Sequence, residues 1–408
     1  VQGAGQAGEV PSAWALKRYH ATTEYLTNIS MPSRSIWNPG LQFMRALSFA
    51  AKARLILCVF SVPIAVLGGA VILRFMDSRS FTVQERAGVH LLQSLATLNE
   101  QLLLQRDAER AIMGDVEVQH VVPSTDSMVS EHMLQVASQA NAAELIPLMQ
   151  SLQSAAATNA SVPDAALAQA ADEAKDRVAQ GMELVARVGD LSGLILDPDI
   201  DTLYLSLIAL QVLPAMMDDL GNLRAWSSYL HAAPRLTAAQ RNFARQQYAV
   251  WDAGLRSNVS RYQSYVARVV AYRPDAAASL PPDFLKRLDV YRAQAYSLAM
   301  QASQTGDSAA ATAMWAAGQP VQAELSAQYN ALLPLLDTLL QRRLDSLWRT
   351  QIILSLATAL ALLIATYFFY AFYQDAVRDM AQKHQDEAQL RAAKVAAEKA
   401  NQAKSEFL

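Results

Sequence analysis

After Pro334 the chain runs 74 residues to Leu408 without a glycine or a proline. A stretch this long with no breaker predicts one continuous helix over Leu335–Leu408, at 1.5 Å per residue roughly 110 Å of rod. Its middle, Ile352–Tyr373, has 22 residues and no charge, enough to cross the hydrocarbon core of a bilayer. Trp348 stands at one rim, and Tyr367, Phe368, Phe369, Tyr370, Phe372 and Tyr373 crowd the other, where interfacial aromatic residues belong. Such a rod joins whatever lies on one side of a membrane to whatever hangs off Leu408.

A second uncharged run, Leu55–Leu73, is 19 residues long. It exceeds a signal-peptide core and no small-residue cleavage site follows it, so an uncleaved anchor is expected. Pro63, Gly68 and Gly69 are tolerated in spanning helices. Cys58, the single cysteine, lies in this run; it excludes an internal disulfide and a Cys-based metal site, and is expected to be buried and structural. Two spans place both ends of the chain on one side. Arg34, Arg45, Lys52 and Arg54 precede the first span, and six basic residues from Arg378 to Lys404 follow the second. Arg74, Arg79, Arg342, Arg343 and Arg349 flank the spans on the opposite face, so the positive-inside bias only leans toward cytoplasmic termini. Residues 1–30 carry no period, and Met31 is the expected natural start. The net charge of −3 argues against a nucleic-acid partner.

The expected organisation is a segment 1–54, a first span 55–73, a domain 74–351, a second span 352–373 and a helical tail 374–408. The domain has a helical composition: Ala, Leu, Gln, Arg and Glu dominate and strand-length β-branched runs are scarce. Val89, Leu92, Leu95, Leu98, Leu102, Leu103 and Ile112 form a helical stripe that should continue from the first span to about Val122. Breaks at 123–127, 158–163, 197–201, 232–236, 273–282 and 306–308 leave about seven helices, several of thirty residues or more. Helices of this length joined by short loops pack as antiparallel bundles. The last should begin near Asp307, pass kinks at Pro320 and Pro334, and enter the second span without a loop.

Asp197, Asp199 and Asp201 alternate as calcium ligands can, but an EF-hand loop would need glycine and glutamate where Thr202 and Ile208 stand. The preferred reading is structural: Asp197 caps a helix, Pro198 takes its first position and the other carboxylates face the positive end of its dipole. His20, His90, His120, His132, His231 and His384 have no metal-ligand spacing. Arg224, Trp226, Trp251 and Trp315 could line a pocket for an anionic or aromatic ligand, although tryptophans in bundles are more often core. No Walker loop, dinucleotide fingerprint or nucleophile elbow occurs. No catalytic, cofactor-binding or metal-binding residues are assigned.

Past the second span, Leu390, Ala393, Ala397, Ala400 and Phe407 fit alternating three- and four-residue steps, interrupted by Lys404. This is an alanine-lined seam suited to an adjustable helix pair, and with it a homodimer. Six basic and six acidic side chains interleave along the same tail, as on a solvated helix.

The stretch DLSGLILDPDIDTLY, Asp190–Tyr204, continuing into LSLIALQVLPAMMDDLGNLRAW, resembles a segment of large helical sensory domains in bacterial membrane receptors. Both sensor kinases and chemoreceptors carry such domains. Glu398–Leu408, EKANQAKSEFL, resembles the segment immediately before the phosphoacceptor box of bacterial sensor histidine kinases, simple or hybrid. In that family A-K-S-E-F-L continues into A-N-M-S-H-E-L/I-R-T-P, whose histidine is phosphorylated from ATP.

The resemblance implies an all-α protein of the bacterial inner membrane, its termini cytoplasmic. Two transmembrane helices would flank a large extracytoplasmic helical-bundle sensor domain, followed by a cytoplasmic coiled-coil-like helix. It also implies a homodimer, an extracytoplasmic ligand or binding protein, a cognate response regulator, and ATP and magnesium for a kinase domain that these residues do not include. His384 lacks the S-H-E-x-R-T-P surroundings, so the chain is expected to have no kinase activity of its own and to be the sensory portion cut just before the histidine. A chemoreceptor or a diguanylate-cyclase-linked sensor is the alternative; chemoreceptors usually carry a glycine- or proline-containing connector after the second span, and here there is none.

Overall fold

The computed structural model describes residues 43, 47–118, 131–158, 167–232, 236–301 and 307–406. Met31, the first thirty residues, the expected break at 123–127 and Phe407 lie outside them. The described residues are helical, with no strand among them. In chain order the helices are α1 (Phe49–Ile112), α2 (Glu131–Gln139), α3 (Ile146–Thr158), α4 (Leu167–Ser192), α5 (Ile200–Leu207), α6 (Leu213–Ala232), α7 (Ala238–Tyr272), α8 (Asp283–Gln301) and α9 (Ser308–Glu406). A π-turn, Ile208–Val212, joins α5 to α6, making a helical run of about thirty residues.

The chain forms two compact units, one of residues 70–354 and one of residues 1–69 with 355–408. In the first, the core takes Leu91, Leu92, Leu95, Leu102 and Leu103 from α1, and Leu184 and Val188 from α4. Leu213, Met216, Leu220 and Leu223 come from α6, and Leu325, Leu332, Leu336 and Leu340 from α9. These positions recur at three- and four-residue steps, so each helix turns one stripe inward. α6 packs against both α7 and α8, and α5 against α7. Arg86 Nε and His90 Nε2 of α1 reach Asp337 Oδ1 of α9 at 2.6 and 3.2 Å. Glu85 meets Arg343 at 3.0 Å, and the Arg79 guanidinium lies 4.8 Å from the Trp348 ring centre. Because the α1 numbers fall as the α9 numbers rise, the two helices run antiparallel.

In the second unit the apolar stretches of α1 and α9 lie side by side. Phe49 stacks on Tyr373 at 6.2 Å. Gly68 lies against Thr358 so closely that a Cβ there would come within 2.5 Å of Thr358 Cγ2. Outward-facing side chains are apolar: Phe60 is 64% exposed, Leu67 68%, Leu356 66% and Leu363 67%. Cys58, expected to be buried, is exposed, because only one face of α1 meets protein here. Beyond Tyr373 the tail is solvated; Leu390 of the expected seam is 76% exposed.

Three helices are long and apolar enough to cross a membrane: Ala51–Ile112, Ile200–His231 and Ser308–Lys399. The most apolar stretch of the first and last is 0% buried, that of the second 61%. The second therefore owes its hydropathy to its place at the centre of the bundle.

Several expected boundaries move. α1 ends at Ile112, ten residues before Val122, where Val116 N–H bonds back to Ala111 O and Asp115 adopts a left-handed φ of 56°. A further break, which no glycine or proline announces, occurs at Asn141, with φ 58°. α9 starts at Ser308, with Asp307 Oδ1 accepting from Ala310 N–H at 3.0 Å, and continues unbroken with Pro320 and Pro334 inside it. α7 opens on a capping box: Thr237 Oγ1 accepts from Gln240 N–H, and Gln240 Oε1 from Thr237 N–H. Thr237→Ala should lower stability by about 1 kcal/mol, read as a lower thermal midpoint of the detergent-solubilised chain.

Candidate ligand-binding site

α1 brings the sequence Arg106-Asp107 into the bundle, where both side chains are almost fully buried at 8% and 1% exposure. Charges so placed need partners. Asp107 Oδ1 accepts from Arg106 Nη2 at 2.7 Å and Nε at 2.9 Å, and Asp218 of α6 takes the remaining Nη1. Asn222 Nδ2 steadies Asp218, donating to its carboxylate at 3.2 Å. Burial acts to lower the Arg106 pKa, but the two aspartates outweigh it and raise it. The Asp107 carboxyl is pushed up by burial, against the pull of Arg106. On the next residue after Asp218, burial and the Asp218 charge push Asp219 up to about 7.

This triad forms the floor of a cavity of about 830 Å³. Arg110, one turn on from Arg106, lies on its wall with its guanidinium 4.7 Å from the Trp226 ring centre. Trp226 packs against Trp251 at 5.3 Å. Val178, Met182 and the 59% exposed Phe243 add apolar surface, while Lys175 and Asp172 of α4 also line the space. Among the described residues the one carboxylate paired with Arg110 is the 80% exposed Asp172, 4.0 Å away; burial lowers the Arg110 pKa, with Tyr229 and then Asp172 pulling the other way. A charged headgroup and a flat apolar body could both be held here.

Of the four side chains that stand out in the sequence, Trp226 and Trp251 reach this cavity and the other two do not. Arg224 and Trp315 pair elsewhere in the core, with the guanidinium 3.6 Å over the indole and Nε donating to Trp315 O at 3.0 Å. Arg106, Asp107, Arg110 and Asp218 do not stand out in the sequence. The Arg-Asp pair inside an otherwise apolar stripe is the signal that could have found them.

The three alternating aspartates meet arginines. Arg343 bonds Asp197 Oδ1 at 2.6 Å and Asp199 Oδ2 at 2.7 Å, and Arg273 reaches Asp201 at 2.8 Å. Each carboxylate thus has a guanidinium where a calcium ion would have to sit. The capping expectation shifts as well: α5 begins at Ile200 with Asp199 as N-cap, and Asp197 instead accepts from Asp199 N–H at 2.9 Å. Burial, reinforced by Asp197, pushes the fully buried Glu85 up to about 8 beside Arg343. Among the described residues no histidine belongs to a cluster that could hold a metal.

The chain matches no protein-family model, and comparison with curated proteins and with solved structures returns no match.

Proposed function

We propose that this chain is the sensory and transmembrane portion of a bacterial sensor histidine kinase in a two-component system. In this reading α1 and α9 cross the inner membrane at 55–73 and 352–373, residues 74–351 form the extracytoplasmic sensor, and the tail pairs with that of a second copy. What supports it is that the first and last helices are unbroken, lie antiparallel, and each carry an uncharged stretch that the other described residues leave unburied. Apolar side chains left this exposed are stable only in lipid or against a partner. The tail sequence EKANQAKSEFL supplies the kinase part of the reading.

Mechanistically, a ligand held in the bundle would favour one packing of α6 and α4 against α1, and α1 is tied to α9 through Asp337 and Arg343. It can act only through different affinities for two packings. The resulting displacement of α9 would set whether a kinase domain following the tail reaches its histidine; ATP and magnesium belong to that domain.

Two measurements test this. In a Cys58→Ala background, Ser279→Cys should react with a membrane-impermeant maleimide in spheroplasts while Ala392→Cys should not. Equal labelling of both positions would end the topology. For the output, the product of the reading frame continued past Leu408 should gain acid-labile phosphate from ATP, and a product without phosphohistidine would refute the kinase assignment.

A further inference from the structure

We propose that the cavity between α1, α4, α6 and α7 binds a small aromatic monocarboxylate, its carboxylate on Arg110 and Lys175 and its ring against Trp226, Trp251 and Phe243. The argument is one of charge and shape. Three cations and three carboxylates line the cavity: Arg106, Arg110 and Lys175 against Asp107, Asp172 and Asp218. They are not equally free. Asp107 and Asp218 are both spent on Arg106, which they bind at hydrogen-bond distance. What remains is Arg110 and Lys175 against Asp172, a surplus of one positive charge.

Asp172 does not neutralise Arg110 well. It is 80% exposed and 4.0 Å from the guanidinium, beyond hydrogen-bond range. Arg110 also reaches Met113 Sδ at 4.0 Å, a weak acceptor. Lys175 is exposed and forms no ion pair among the described residues. A guanidinium that is largely buried, stacked on an indole and without a carboxylate at hydrogen-bond distance among the described residues can receive one, which it binds in a planar fork.

The walls select the rest of the ligand. Trp226 and Trp251 pack on one another at 41° with ring centres 5.3 Å apart, and both line the cavity. Met182 and Phe243 complete an apolar rim. A flat ring can pack against this aromatic wall, and sulfur and aromatic edges favour it over an alkyl chain.

The inference gives the proposed sensor its ligand class and rests on that reading only for its biological meaning. Binding is measured on the purified full chain in nanodiscs and topology on cells, so either can fail alone. Three probes share one skeleton: indole-3-acetate, indole-3-acetamide and tryptamine. Indole-3-acetate should bind saturably and at least about tenfold more tightly than the amide, the usual value of a charge-assisted hydrogen bond. Arg110→Gln should remove that preference while Arg268→Gln, on a distant exposed face, keeps it. Three results would overturn the proposal: equal binding of acid and amide, tighter binding of tryptamine, or no saturable binding of any of the three. Because the probe series uses the native chain, a misfolded Arg110→Gln would not rescue it.

Discussion

Arg343→Met should destabilise the helical bundle by about 3–5 kcal/mol, the usual cost of stranding buried charge. Among the described residues Arg343 is the one cation that contacts Glu85, Asp197 and Asp199 together, at 3.0, 2.6 and 2.7 Å, and its Nη2 also donates to Thr202 Oγ1. The Glu85 and Asp197 side chains have no exposed surface, so water does not replace the lost partner. Methionine keeps most of the volume and removes only charge and hydrogen bonds. Adding Glu85→Gln to Arg343→Met should recover little of the loss at neutral pH, because Glu85 already holds a proton below about 8 and the charge left without its partner is that of the buried Asp197.

The same cluster gives stability a pH dependence. Glu85 is pushed up to about 8, chiefly by burial and then by Asp197, while Arg343 pulls the other way. Between the ordinary carboxylate pKa and about 8 the folded chain holds a proton that the unfolded chain has lost, so stability from this group falls as pH rises through that window. Glu85→Gln should flatten the curve there and leave it nearly unchanged below about pH 4. Thermal midpoints of the two chains from about pH 4 to about pH 9 in one detergent decide it; parallel curves would show that Glu85 does not titrate in this window.

Gly221→Ala should cost about 2–4 kcal/mol, against the sign expected from helix propensity. In an open helical site the change would gain about 1 kcal/mol. Here the new methyl would overlap Asp107 Oδ2, with Asp107 Cγ at 2.9 Å and Arg106 Nη2 at 3.0 Å. Asp107 is short, buried and held by Arg106, so it has no rotamer to retreat to without breaking the pair; both overpacking and the pair are then at stake. Gly69, where an added Cβ would meet nothing within 4 Å, is the control: Gly69→Ala should be neutral or slightly stabilising in the same melt. A stable Gly221→Ala chain would mean that the triad is softer than its geometry.

The long helices are legible in the sequence because what makes them is local: an absence of breakers, a three- to four-residue apolar step, and an aspartate before Ser308. The end of α1 is not. Apolar residues continue past Ile112, but Gly114 and Asp115 terminate the helix, and a left-handed aspartate leaves little trace in a hydropathy pattern. Cys58 defeats the expectation of burial because an apolar run need not be a protein core, and its face of α1 meets none of the described residues. The candidate site is half legible. Trp226 and Trp251 stand out in any reading, but nothing local separates them from Trp315, which packs into the core. The triad and the Arg343 cluster join residues 112 and 258 positions apart, and such pairings arise only when helices pack.

The π-turn at Ile208–Val212 amounts to one residue more than a regular helix needs between the same end points. The surplus is absorbed locally, so Asp218 and Trp226 keep their heading toward the cavity. A chain shorter by one residue within the turn would close it into ordinary α-helix with the downstream phase preserved. One residue lost between Ile200 and Asp218 outside the turn would swing those side chains by about 100°. Ahead of Asp218 the turn is therefore the place in this helical run where a residue can be lost without turning the candidate site away, a register reserve within the bundle.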